Sequence, residues 1–236
     1  MNAKPKAILS WSSGKDSAFA LHAVRASGEL EVTGLLTTVT DAYGRVSMHG
    51  VREEILDLQA ARAGLPLTKV RIPAPCPDAH YERAMADALA PLAADGVTHV
   101  VFGDLYLEDI RAWREARLAL LDVTGVFPLW GRDTAGLARD MIASGVEARI
   151  VCLDPAKVDP GLAGHAFDED LLSALGPGVD PCGENGEFHT VVTAGPFFEA
   201  AIATEVGPTV ARDGFVFTDI RLKSNTVIGD NRASMH

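Results

Sequence analysis

Short apolar runs and amphipathic stretches alternate along the chain from Ala7 to Leu121, and that order leaves few folds open. Ala7–Ser10, Val32–Val39, Leu67–Ile72 and Thr98–Phe102 are apolar and rich in β-branched residues, which predicts strands. Ser17–Arg25, Val51–Ala63, Tyr81–Leu92 and Glu108–Leu121 carry apolar residues at helical spacing, and Gly64 stands where a helix C-cap belongs. Strands that look buried on both faces and are separated by helices predict an α/β fold, a doubly wound parallel sheet of Rossmann-like type with helices on both faces. Ligands of such sheets sit at the carboxyl ends of the strands. In Glu108–Leu121 the predicted apolar stripe is Ile110, Trp113, Ala116, Leu120 and Leu121, with Glu108, Arg111 and Glu115 on the opposite side.

The pattern changes after Gly125. Helices are expected at Thr134–Ser144 and near Asp168–Leu175, and strands at Ala148–Leu153, Phe188–Thr193, Ala200–Val206 and Phe215–Leu222. This gives two domains, an α/β unit over 1–125 and a smaller α+β unit over 126–236, with Ser224–His236 a polar tail. A hydrophobic fraction of 47% and a charged fraction of 22% are those of a globular protein rather than a disordered one. Twenty-one basic against 32 acidic residues, net −11, argue against general nucleic-acid binding. Cys76, Cys152 and Cys182 form no C-x-x-C pair, which argues against a disulfide framework or structural zinc. With no signal peptide and no apolar run of membrane length, a cytoplasmic protein without a membrane partner is expected.

The most informative segment is Ser10-Trp11-Ser12-Ser13-Gly14-Lys15-Asp16-Ser17, which leaves a strand and opens a helix. A helix N-terminus offers unpaired N–H groups and partial positive charge, so anions bind there; hydroxyls and the Lys15 charge add to that. It is not a Walker A loop, because Leu9 stands where that motif needs glycine and Asp16 follows the lysine. An acid within a phosphate loop calls for a cation, so Asp16 is a candidate ligand of Mg²⁺ bridging to pyrophosphate. The plainer reading is a well-capped helix start with an acid favourable to the dipole.

Ser12-Ser13-Gly14-Lys15-Asp16-Ser17 resembles the PP-loop of adenine-nucleotide α-hydrolase-like ATP pyrophosphatases, usually S-G-G-x-D-S, with Ser13 in place of the first glycine. Met48-His49, Leu58-Gln59-Ala60-Ala61, Gly64-Leu65-Pro66-Leu67, Gly103-Asp104, Pro128-Leu129-Trp130 and Gly183-Glu184-Asn185-Gly186-Glu187-Phe188 follow in an order similar to the diphthine–ammonia ligase family. The likeness runs to about Ile202, and the Ala-rich composition and Glu-Asn-Gly-Glu-Phe-His form resemble bacterial members. The resemblance implies ATP and ammonia as substrates. A carboxylate attacks the α-phosphate of ATP, pyrophosphate leaves, and ammonia then displaces AMP to give an amide. The implied cofactors are ATP and Mg²⁺, and the acceptor is a carboxylate on a small molecule or a protein. A homo-oligomer is compatible with the sequence.

The resemblance also implies roles. Ser10, Ser12, Ser13, Gly14, Lys15, Asp16 and Ser17 cradle the phosphates, with Lys15 and Asp16 taking part in catalysis. Leu36, Thr37 and Thr38, at the end of the second strand, lie by the adenine. Glu184 and Glu187 hold metal, ammonium or an amine, His189 moves a proton, and Gly183 and Asn185 shape the acceptor site. His189 stands where the family carries an acid. From the residues alone, His49, Gly103 and Asp104 are candidates for nucleotide contact, and Glu108, Arg111 and Arg132 for acceptor contact; turn acids, a solvated ion-pair face and surface arginine are the alternatives. Two other classes compete. A non-catalytic ATP-binding sensor would need a glycine followed by Ser or Thr, and none of the 22 glycines is. A PP-loop enzyme acting on tRNA fits poorly with a net charge of −11.

Overall fold

The computed structural model describes residues 3–224, so nearly all of the polar tail expected at Ser224–His236 lies outside the described residues. The first sheet contains β1 (Lys6–Ser10), β2 (Glu31–Thr40), β3 (Arg45–Val46), β4 (Leu67–Ile72), β5 (Val97–Val101) and β6 (Thr124–Val126). β1 pairs in parallel with β2 and β5, β2 with β4, and β5 with β6. The two-residue β3 adds antiparallel to the end of β2. The order β4-β2-β1-β5-β6 reverses direction between β1 and β5. A crevice therefore opens at the carboxyl ends of those two strands.

Side-chain alternation explains how the sheet is covered. Ala7 and Leu9 of β1 point into one core with α1 (Lys15–Ser27) and α2 (Glu53–Ala63). Ile8 points the other way, into a second core with Leu89 of α3 (Asp78–Ala94) and Leu118 of α4 (Glu108–Ala119). Period-2 alternation in a strand flanked by helices on both sides is the doubly wound α/β architecture.

The second sheet is antiparallel, β8-β7-β10-β9, with β7 (Glu147–Leu153), β8 (Phe188–Ala194), β9 (Thr204–Arg212) and β10 (Phe215–Leu222). With it go α5 (Thr134–Ala143) and the short α6 (Glu169–Ala174). Ile150 and Val191 of this sheet share one continuous buried cluster with Leu9, Leu35 and Ile55 of the first half. The two halves are fused through their cores.

Two expectations need correction. The strand placed at Ala200–Val206 begins at Thr204 and runs to Arg212, through Gly207-Pro208. β9 is an edge strand, where a proline leaves no ladder donor missing. In α4 the expected apolar stripe is not a core stripe: Leu118 is the buried residue, while Leu120 is 83% and Ile110 42% exposed. Among the described residues no helix is long and apolar enough to cross a membrane.

Candidate active site

The loop from Trp11 to Gly14 carries the chain from the end of β1 into the first turn of α1, at the switch point. Its hydroxyls tie it together. Ser17 Oγ donates to the Gly14 carbonyl at 3.0 Å, and the Ser12 and Ser17 hydroxyls lie 3.1 Å apart. Ser13 has φ 68°, the left-handed region that glycine favours. The serine in this place therefore tolerates a conformation most side chains avoid, and its buried hydroxyl has no hydrogen-bond partner. Gly14 is needed for another reason: a Cβ there would stand 3.0 Å from the His49 ring and 3.2 Å from the Thr190 carbonyl. Gly103, after β5, is tighter still, because a Cβ would meet the Asp16 carbonyl carbon and the Ser17 nitrogen at 2.7 Å.

The second half holds the loop from behind. Thr190 Oγ1 accepts from Lys15 N at 3.1 Å, and Val192 N donates to the Ser13 carbonyl at 2.9 Å. Gln59, fully buried on α2, joins the parts. Its Oε1 accepts from the Trp11 indole at 3.0 Å, and its Nε2 donates to Val192 O at 2.7 Å and Ser13 O at 3.2 Å.

A cavity of about 600 Å³ opens in front of the loop. Ser10, Ser12, Asp16 and Ser17 line it from the loop, His49 from the segment before α2, and Gly103 and Asp104 from the end of β5. Gly183, Glu184, Asn185 and His189 close it from the second half. These eleven of the sequence candidates are brought together from four separate segments.

Other candidates fall elsewhere. Lys15 is 1% exposed and does not line the cavity. Its ammonium donates to the Cys182 carbonyl and to Asp16 Oδ2, and lies 5.2 Å from the centre of the Phe167 ring and 5.4 Å from that of Phe188. It anchors the site loop of the second half to α1. Burial pulls this ammonium down, but Asp16, Cys182 and Glu184 together more than offset that, and it holds its proton above the ordinary lysine range. Ser13 and Gly14 sit behind the lining. Glu187 is buried; its Oε1 accepts from Asp180 N and Asn185 Nδ2, shaping the loop, and its Oε2 has no partner. Thr37 Oγ1 donates to the Trp11 carbonyl, and Thr38 lies on neither cavity wall. Leu36 lines an adjoining apolar hollow of about 340 Å³ between α3 and α4, which shares Ser10, Phe102 and Arg114 with the cavity.

Glu108, Arg111 and Arg132 are not brought to the cavity. Glu108 is exposed, Arg111 pairs with Glu115 and stacks over Phe127 and Trp130, and Arg132 pairs with Asp140. The face of α4 that meets the cavity carries Ile110 and Arg114, four residues apart, following Leu107. Arg114, missed in the sequence, pairs with Asp104 at 3.1 Å and lies 4.5 Å over the Phe102 ring. A phase one step round the helix from Arg111 was the available signal.

The cavity's electrostatics are set by burial. Burial raises the Asp16 carboxyl against the pull of Lys15, and Asp16 Oδ1 has no partner. Burial, with Asp16 and Asp104 nearby, pushes Glu184 up to about 7, although Leu105 N–H donates to its Oε1 at 2.7 Å. His49 and His189 face each other with ring centres 4.5 Å apart. Burial and mutual repulsion push His49 down to about 3, and burial with the Lys15 charge pushes His189 down to about 4, so both are neutral near pH 7. Burial pushes the Cys182 thiol up to about 12, which leaves no thiolate for nucleophilic attack. No group of three or more His, Cys, Asp or Glu forms a metal cage among the described residues. Mg²⁺ held with phosphates needs only one or two carboxylates, and Asp16, which lines the cavity and keeps one oxygen without a partner among the described residues, fits that demand.

A parallel sheet with a hydroxyl-rich strand-to-helix loop at its switch point defines an α/β protein of the Rossmann-like PP-loop class. Residues 5–118 match the diphthamide synthase N-terminal domain and residues 133–219 the diphthamide synthase C-terminal domain, and the chain belongs to that family. It is 30% identical over 104 residues to the diphthine–ammonia ligase of Rattus norvegicus and 31% identical over 97 residues to that of Homo sapiens. Each match takes in 39% of this chain and spans 36% of the relative's length.

Proposed function

We propose that the protein is an ATP-dependent ligase that adenylates a substrate carboxylate and then amidates it with ammonia, with residues 1–125 binding ATP and 126–236 serving the acceptor. The observation that carries this reading is Asp16 on the wall of a cavity in front of the switch-point loop, with one carboxylate oxygen that no group of the described residues satisfies. The family membership and the resemblance to diphthine–ammonia ligases support the reaction type.

In this reading the β- and γ-phosphates lie against Ser12, Asp16 and Ser17, where the first turn of α1 favours anions. The base enters the apolar hollow beside Leu36, and Arg114, which borders both spaces, faces the nucleotide between them. Asp16 would hold Mg²⁺, which when bound would supply positive charge to the departing pyrophosphate. The acceptor carboxylate oxygen bonds to the α-phosphorus as the bond to the β-phosphate oxygen breaks. Ammonia then bonds to the acyl carbon, AMP leaves, and the nitrogen gives up a proton. Glu184, poised near neutrality, is the group to receive it. The neutral His49–His189 pair makes the remaining wall one that presents ring nitrogens instead of charge. The acceptor is a carboxylate on a small molecule or on a protein.

The test is incubation of the full chain with ATP, Mg²⁺, ammonium and a panel of carboxylic acids, with the nucleotide products resolved. AMP with pyrophosphate, lost in Asp16→Ala, is the expected result. ADP with phosphate as the products would reject the reading.

A further inference from the structure

A third pocket, of about 260 Å³, lies on the far side of the segment that carries His49. Met48 and His49 face the large cavity, whereas the next residue, Gly50, lines this pocket. Its walls bring together Arg45 from β3, Arg212 from β9 and Arg221 from β10, around Asp219. Val151, Val210 and Phe217 supply apolar surface.

Hydrogen-bond accounting leaves an excess of donors. Asp219 Oδ1 accepts from Arg45 Nη2 and Arg52 Nε, and Oδ2 from Arg52 Nη2 and Arg221 Nε, so one carboxylate is shared by three guanidinium groups. Arg45 Nη1 donates to the Gly50 carbonyl. Arg221 offers only Nε to Asp219, and its two terminal nitrogens have no partner among the described residues. Arg212 has for partner Asp213, 82% exposed, at 3.4 Å, and its guanidinium is fixed in place over the Tyr43 and Phe217 rings at 4.8 and 5.0 Å. Three arginines line the pocket with Asp219 as its one acid, and Arg52 reaches the same half-buried carboxylate, so in a chain of net charge −11 the sign is locally inverted. Guanidinium forks held by ring stacking and aimed into a partly apolar pocket recognise planar or tetrahedral oxyanions through paired N–H bonds.

We infer that this pocket binds an oxyanion group, phosphate or carboxylate, borne by a small molecule, with Arg212 and Arg221 as its principal ligands. The pocket is separate from the nucleotide cavity, and the inference stands whether or not the ligase reading does. It also gives the segment from Arg45 to Arg52 two faces, one on each ligand space.

The experiment is calorimetric titration of the full chain at low ionic strength with inorganic phosphate and, separately, with succinate, each with and without a non-hydrolysable ATP analogue. With the analogue present one saturable site is expected, and it is weakened at least tenfold in the Arg212→Gln/Arg221→Gln variant. Arg212→Ala alone, which leaves every Asp219 bond in place, is expected to weaken it as well and serves if the double variant fails to fold. Tighter phosphate binding marks a phosphorylated ligand, and tighter succinate binding marks a carboxylate one. Absence of saturable binding by either probe overturns the inference. So does binding that survives both arginine changes or disappears when the analogue is added.

Discussion

Ser13→Gly is expected to stabilise the protein, although it removes a buried side chain. Ser13 is fully buried, sits at φ 68° and carries a hydroxyl without a partner. Relief of a non-glycine residue from the left-handed region is worth about 1 kcal/mol. Removing an unsatisfied buried hydroxyl returns about 1–2 kcal/mol. Against these stand about 0.5–1 kcal/mol for the extra freedom of glycine in the unfolded chain and about 1 kcal/mol for lost burial and packing of the Cβ. The balance favours glycine by about 1 kcal/mol, which for a chain of this size raises Tm by about 2–4 °C. Differential scanning calorimetry at pH 7, without nucleotide, reads the shift directly. An unchanged or lower Tm would refute the reasoning, because it would mean that the hydroxyl is satisfied in solution or that the loop holds its turn without strain.

Glu184→Gln keeps an acceptor for Leu105 N–H and removes the charge. Because the folded carboxyl titrates at about 7 and the unfolded one at 4.5, the folded state holds a proton that the unfolded state releases between those values. Wild-type stability thus falls as pH rises through that window, and the variant is expected to match wild type at pH 4 and exceed it by about 2 kcal/mol at pH 8 in denaturant melts, while losing amide formation. Gly103→Ala drives a Cβ into the Asp16–Ser17 backbone at 2.7 Å; a shift of the loop by about 1 Å is expected to lower turnover by about 100-fold, with ATP affinity by calorimetry falling too. Gln59→Leu unpairs the Trp11 indole and the Val192 carbonyl; the expected loss is about 3 kcal/mol, and a chemical melt within 1 kcal/mol of wild type would contradict the role given to Gln59.

What could be read in the sequence was what is local along it. The strand, the serine-rich bend and the opening of α1 are one contiguous segment whose chemistry is written in its residue types, and the alternation that builds the sheet has a short period. Gly14 and Gly103 were legible as glycines at a site, but their reason, close approach of His49 and of the Asp16 backbone, depends on segments far off in the chain. The destination of Lys15 was not legible at all, because its partner Cys182 is 167 residues away. A lysine beside a phosphate loop reads as a phosphate ligand until the second half is seen to take its charge. Arg114 was hidden by helix phase: the apolar residues of α4 suggested a buried stripe, yet the helix packs through Leu118 and turns Ile110 and Arg114 toward the cavity. β9 was misplaced because Gly207-Pro208 reads as a break, and only its edge position makes that pair compatible with a strand.

The charges around the cavity explain why the two halves must be fused for the loop to work. Asp16, Asp104 and Glu184 all line the space where a nucleotide's phosphates would go, and three free carboxylates would repel it. Each is moderated in a different way. Lys15 takes Oδ2 of Asp16, Arg114 of α4 takes Asp104, and burial, with Asp16 and Asp104 nearby, holds Glu184 half-protonated near neutrality. Lys15 is kept in place by the Cys182 carbonyl and by the Phe167 and Phe188 rings, all from the second half. A first half alone would keep the loop's sequence and the Lys15–Asp16 pair but lose the Cys182, Phe167 and Phe188 contacts of Lys15, the Thr190 hydroxyl on its amide and the Val192 amide on Ser13. What would remain is an acidic bend with an unanchored cation. In the ligase reading, phosphate binding at this site is therefore a property of the docked pair, and Asp16 keeps on the phosphate side a carboxylate oxygen that no group of the described residues satisfies.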